Sequence, residues 1–146
     1  MASHLDLEEQ EQLDRLKHFW SKYGNLISGA LIVVFGSIEG IRPNINHAPY
    51  ATMKAAIHHL VKAAAHELGP DGIRVVGIAP GLVDRDGLEH DWPHGVQSWN
   101  KSSALGRPLR AEEIANVTAF VASPAASGIT GITIPVDAGW SAHPGW

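Results

Sequence analysis

The run Ala30-Leu-Ile-Val-Val-Phe35 is apolar, β-branched and uninterrupted, and no other stretch limits the fold as strongly. It falls well short of the roughly 20 apolar residues that a membrane-spanning helix needs. Its composition suits a buried strand covered on both faces, and Gly36-Ser37 ends it. A helix is expected next, from about Ala48 to Leu68, with Met53, Ile57, Leu60, Val61, Ala64 and Leu68 as its apolar stripe. Gly69-Pro70 stops that helix. Ile73 to Ile78 reads as a second strand closed by Pro80-Gly81, Ala111 to Ala122 as a short helix, and Ile132 to Val136 as a last strand. Strands alternating with helices at this spacing predict an α/β fold with a parallel sheet of about three strands.

Two segments between these elements read as irregular. Ile38 to Pro49 is rich in Gly, Pro and Asn and is expected to be loop. Asp84 to Ser103 is polar and aromatic, and loops of that length are more often functional lids than plain connectors. At the start of the chain, Leu13, Leu16, Trp20 and Tyr23 fall three and four apart with Phe19 beside them. An N-terminal amphipathic helix over about residues 5–23 is expected, capped by Ser3 and stopped by Gly24. Its density of charge excludes a secretory signal.

With 11 basic and 15 acidic residues the net charge is -4, so no basic surplus exists to neutralise phosphates. Nucleic acid and anionic membrane are therefore disfavoured as partners. The absence of cysteine excludes disulfides, thiolate metal sites and cysteine nucleophiles. No membrane insertion and a cytoplasmic location are expected. His58, His59 and His66 lack the spacing of a ligand pair and read as solvated helix face, with no metal site expected. Asp84, Asp86, Glu89 and Asp91 read as solvated loop, and Trp92, Trp99, Trp140 and Trp146 as pocket lining or surface packing.

Tyr50 and Lys54 stand four apart on the expected helix, hence on one face. Ser37 precedes Tyr50 by thirteen residues, where a strand emerges into loop. An ammonium beside a phenol favours the phenolate, so such a pair suits proton exchange. A serine hydroxyl nearby would hold a carbonyl or alkoxide oxygen in line for the transfer.

Several motifs, in order and in register, resemble the short-chain dehydrogenase/reductase family over about residues 31–141. Ile32-Val-Val-Phe-Gly-Ser37 is similar to its strand ending in the active-site serine, and Tyr50-Ala-Thr-Met-Lys54 to its Tyr-x-x-x-Lys helix. Gly72-Ile-Arg-Val-Val-Gly-Ile-Ala-Pro-Gly81 resembles its sixth strand and the turn that meets the nicotinamide. Gly106-Arg-Pro, Glu112-Glu-Ile-Ala115, Thr130-Gly131 and Val136-Asp-Ala-Gly-Trp140 resemble its C-terminal run. The resemblance implies a partial Rossmann-like fold, the second half of a doubly wound sheet. It implies catalytic roles for Ser37, Tyr50 and Lys54, and NAD(P) contacts from Tyr50, Lys54, Pro80, Gly81 and Val83. Small carbonyl or alcohol substrates and a homo-oligomer follow from the same kinship.

The departures matter equally. The family's glycine-rich phosphate turn has no counterpart among Gly24, Gly29, Gly36 and Gly40, which predicts a poor grip on the dinucleotide. Its catalytic asparagine falls on Leu13, with Asn25 out of register. Arg85 replaces a threonine, and Ala138 replaces the first glycine of Val-Asp-Gly-Gly. Residues 1–30 resemble the cytoplasmic start of bacterial inner-membrane tetratricopeptide proteins, so a chimera is expected: a foreign helical segment over 1–30 and a truncated catalytic half over 31–146. Two other functions are carried forward. One is a vestigial, non-enzymatic, self-associating module. The other is a hydrolase reusing Ser37 as nucleophile, although no Gly-x-Ser-x-Gly elbow surrounds it.

Overall fold

A computed structural model of the chain describes residues 30–142. Its three strands are β1 (Leu31–Phe35), β2 (Arg74–Pro80) and β3 (Ile132–Val136), parallel and in the order β1-β2-β3. Leu31 is level with Arg74, and Val76 with Ile132. The helices are α1 (Ala48–Leu68), α2 (Leu88–Asp91), α3 (Pro93–Ser102) and α4 (Ala111–Ala122). The partial Rossmann-like α/β architecture is as expected.

The pleat of β2 assigns the layers, because successive side chains point to opposite faces. Val75 joins Val34 beneath Val61, Ala65 and Leu68 of α1. Val76 and Ile78 join Leu31, Val33 and Ile134 beneath Val117 and Val121 of α4. Both sheet faces are therefore covered, and β2 is buried nearly throughout. A third cluster of Ile38, Ala79, Trp99, Leu109 and Ala138 lies beyond the carboxyl ends of the strands, and it supports the site. Arg74 ties these layers together: its guanidinium donates to the carbonyls of Val121 (2.8 Å), Ala126 (3.1 Å) and Ile129 (3.2 Å). Val121 lies in the last turn of α4, where a cation also complements the helix dipole.

Five expectations are corrected. β1 is not covered on both faces, since Ile32 is 42% and Phe35 48% exposed. The two helices centre on β2, and β1 has one neighbouring strand among the described residues. The stripe of α1 is also shifted: Val61 is buried as expected, but Met53 and Leu60 are exposed, whereas Ala51 and Ala65 are buried. Position on the sheet, rather than apolar content, chose that face. Asp84–Ser103 is not irregular but holds α2 and α3, with Leu88, Val96 and Trp99 buried. Finally, β2 continues beyond Ile78 to Pro80, and Ile38–Gly40 forms a single 3-10 turn inside the expected loop. The helix expected over residues 5–23, with Leu13 and Asn25, lies outside the described residues, as does Trp146. Among the described residues no helix is long and apolar enough to cross a membrane.

Candidate functional site

β1 delivers Ser37 to the carboxyl edge of the sheet. The Gly36 amide donates to the Ile78 carbonyl at 2.7 Å, extending the strand pairing by one residue. Ser37, at φ -163°, then caps the 3-10 turn, and its Oγ accepts from the Glu39 amide at 3.2 Å. This side chain is buried, at 8% exposure. The turn lies close to α1: a Cβ at Gly40 would stand 2.7 Å from the Lys54 carbonyl carbon and 2.8 Å from the Ala55 nitrogen.

α1 supplies the other two residues from its first two turns. Lys54 Nζ donates to the Phe35 carbonyl at 3.3 Å, which ties the helix to the end of β1. The same ammonium sits 5.6 Å from the centroid of the Tyr50 ring. His47 leads into the helix, and its Nδ1 meets the Glu39 carboxylate at 2.8 and 3.0 Å. The His47 ring also stands edge-on to Tyr50, with centroids 6.4 Å apart.

Ser37, Glu39 and Tyr50 open on a cavity of about 350 Å³ that Pro80, Gly81 and Trp99 also line. Gly81 is required there, because a Cβ would stand 2.5 Å from the Trp99 ring and 2.9 Å from the Asp137 Cα. Of the aromatic residues singled out from sequence, Trp92, Trp99 and Trp140 line the cavity. Lys54 and Val83 do not line it. Lys54 reaches Tyr50 and the end of β1 from beside the cavity, and Val83 pairs with Leu109 and packs on the third core cluster.

His58 escaped sequence reasoning, which placed it on a solvated face. Its ring is half-buried against Gly36, where an added Cβ would collide with it. Its Nε2 is buried without a hydrogen-bond partner. Burial, then the charges of Lys54 and Lys62, hold its pKa below the ordinary value. The available signal was its spacing from Lys54 and Val61, four and three residues away on one helix face. His59 and His66 are exposed, and no metal-binding cluster occurs among the described residues.

Arg85 turns away from the cavity. It pairs with Asp91 at 2.9 Å and donates to the Asp86 carbonyl at 3.0 Å. Hydrogen bonds from Arg85 and then His90 lower the pKa of Asp91, so this part of the acidic loop is paired as well as solvated. Ala138 occupies the left-handed region at φ 55°, which accounts for a glycine in the corresponding motif. Asp137 secures that turn by accepting from the Gly139 amide at 2.9 Å and the Ser141 amide at 2.8 Å.

Residues 20–141 match a family model described as Enoyl-(Acyl carrier protein) reductase. The chain is 38% identical over 115 residues to meso-2,3-butanediol dehydrogenase of Serratia marcescens, covering 78% of this chain and 45% of that protein. It is likewise 38% identical to 7alpha-hydroxysteroid dehydrogenase of Escherichia coli (strain K12), over 76% of this chain and 44% of that one. A solved structure of a 7alpha-hydroxysteroid dehydrogenase with NADH and 7-oxo glycochenodeoxycholic acid superposes with a TM-score of 0.71 at 36% identity, covering 77% of this chain and 44% of that one. The chain thus spans less than half the length of these curated relatives.

Proposed function

Since the chain belongs to the short-chain dehydrogenase/reductase family, we propose that it carries the proton-transfer site of a carbonyl/alcohol oxidoreductase. The observation that carries this reading is that Ser37 and Tyr50 open on one cavity while Lys54 holds its ammonium beside the Tyr50 ring. In the reducing direction Tyr50 donates its phenolic proton to the substrate oxygen, and Lys54 stabilises the phenolate left behind. Ser37 already accepts from the Glu39 amide, which leaves its own O–H to donate to that oxygen.

NAD(P) is the cofactor that this reading requires, and it supplies or receives the hydride when bound. The described residues suit its reactive end, which Tyr50, Lys54, Pro80 and Gly81 would meet, with Val83 behind them. They do not suit its phosphates. The first turn of α4 carries Glu112 and Glu113, and α1 and α3 begin with proline at their first or second positions. A phosphate prefers free amides and no carboxylates at a helix start. We read residues 31–146 as the catalytic half of the family fold, residues 1–30 as a separate segment resembling tetratricopeptide membrane proteins, and the assembly as a homo-oligomer.

Turnover of a carbonyl panel by the full chain with NADH or NADPH tests the reading. Tyr50→Phe is expected to abolish activity with unchanged melting, since it removes the transferable proton and keeps the ring. Full activity in Tyr50→Phe overturns the assignment. Substrate-independent self-association without turnover would instead favour the non-enzymatic reading, for which the exposed Ile32 and Phe35 speak.

A further inference from the structure

The proposed proton transfer uses Ser37 and Tyr50, and much of the remaining cavity lining is aromatic. Trp99 is 8% exposed and stacks on Trp140, with planes 4° apart and centroids 5.9 Å apart. Its indole N–H donates to the Arg107 carbonyl at 2.9 Å, so it offers the cavity carbon rather than a donor. Trp92, half exposed, lies over Gly95, where an added Cβ would fall inside the indole. Glu39 alone carries a formal charge among the described lining residues. His47 already pairs with that carboxylate at 2.8 Å, and the Arg42 guanidinium stands 5.3 Å from the Trp140 ring centroid, so ring shape rather than charge is what this lining can sort. A volume of about 350 Å³ is at the small end of the ~300–1,000 Å³ usual for ligand sites. Rings cover aromatic plates with few rotors to freeze, whereas a flexible chain loses conformational freedom in doing so.

We propose that this cavity selects a small, ring-bearing ketone or secondary alcohol. Its ring packs on Trp92 and the Trp99–Trp140 pair. This inference rests on the reading of Ser37 and Tyr50 as the pair facing the substrate oxygen.

Saturation-transfer NMR titration of the full chain, which needs no turnover, compares 1-tetralone with 2-octanone. Tetralone is expected to bind ahead of octanone. Trp92→Ala should weaken tetralone by about fivefold, as loss of an aromatic contact does, and octanone by much less. Gly95→Ala should act similarly by displacing the Trp92 ring, which guards against misfolding of one variant. Equal binding of the two ketones, or failure of both to bind, overturns the inference. Tetralone preference without Tyr50-dependent turnover would overturn the oxidoreductase reading alone. Tyr50-dependent turnover without ring preference would overturn this inference alone.

Discussion

Gly40→Ala probes the contact that seats Ser37. The added methyl would stand 2.7, 2.8 and 2.8 Å from Lys54, Ala55 and His58 atoms, two of them backbone. Comfortable carbon contacts lie near 3.5–4.0 Å, so the turn must retreat from α1 by ~0.7 Å or more. Forcing a methyl into packed surroundings typically costs about 1–3 kcal/mol. The movement would pull on Ser37, whose carbonyl accepts from the Gly40 amide at 3.0 Å. A displacement near 1 Å in a catalytic group can lower turnover by about a hundredfold. Gly128 is the control, because nothing lies within 4 Å of an added Cβ and its φ is not left-handed. There the same substitution should be neutral or stabilising, by up to ~1 kcal/mol, through the unfolded chain. Urea denaturation of both variants reads the difference in midpoint at constant slope. A Gly40→Ala protein as stable as Gly128→Ala would refute the close approach on which the argument depends.

Three further outcomes are expected. Calorimetry on the full chain should show NAD(P)H binding of about millimolar Kd or weaker, because no described helix start offers a phosphate site; micromolar binding would contradict this. Sedimentation at micromolar concentration should show a dimer or larger, since exposed Ile32, Phe35, Met53 and Leu60 can contribute to the ~1,200–2,000 Å² of a stable interface; a well-folded monomer would contradict it. Arg107 holds Glu113 by two 2.8 Å bonds and, with the Arg110 amide, lowers its pKa to about 2 from an ordinary 4.5. A depressed folded pKa stabilises above the unfolded value and is lost as pH falls through the folded one. Carboxyl NMR should therefore find Glu113 ionised at pH 4, stability should fall from pH 4.5 towards 2, and Arg107→Met should raise the Glu113 pKa towards its ordinary value, with the Arg110 amide keeping part of the shift.

The elements legible in sequence were those with local signals. The apolar runs of β1, β2 and β3 and the Gly69-Pro70 stop placed them within a residue or two. The strand end at Ser37 and the i, i+4 spacing of Tyr50 and Lys54 were legible because both are local geometry. The meeting of Ser37 and Tyr50 on one cavity depends instead on packing across the turn between them. What escaped depended on tertiary neighbours. Apolar content chose Met53 and Leu60 for the face of α1 along with Val61, but the sheet kept Val61, took Ala51 and Ala65, and drew His58 in with them. α3 was hidden by its polar and aromatic composition, although Pro93 at its start and Val96 and Trp99 three apart were a helix signal. The Glu39–His47 pair joins residues eight apart across an irregular turn, which no periodicity announces.

The strand order β1-β2-β3 has a consequence for assembly in time. Among the described residues each strand pairs with the one made just before it. Non-local pairings slow folding because loop closure precedes the contacts that reward it; here neither crossover skips over a described strand. Ser37, Tyr50 and Lys54 all lie on the first crossover, between β1 and β2. During synthesis that unit has left the ribosome before β3 does, so the residues proposed for proton transfer can be brought together while the last strand is still being made.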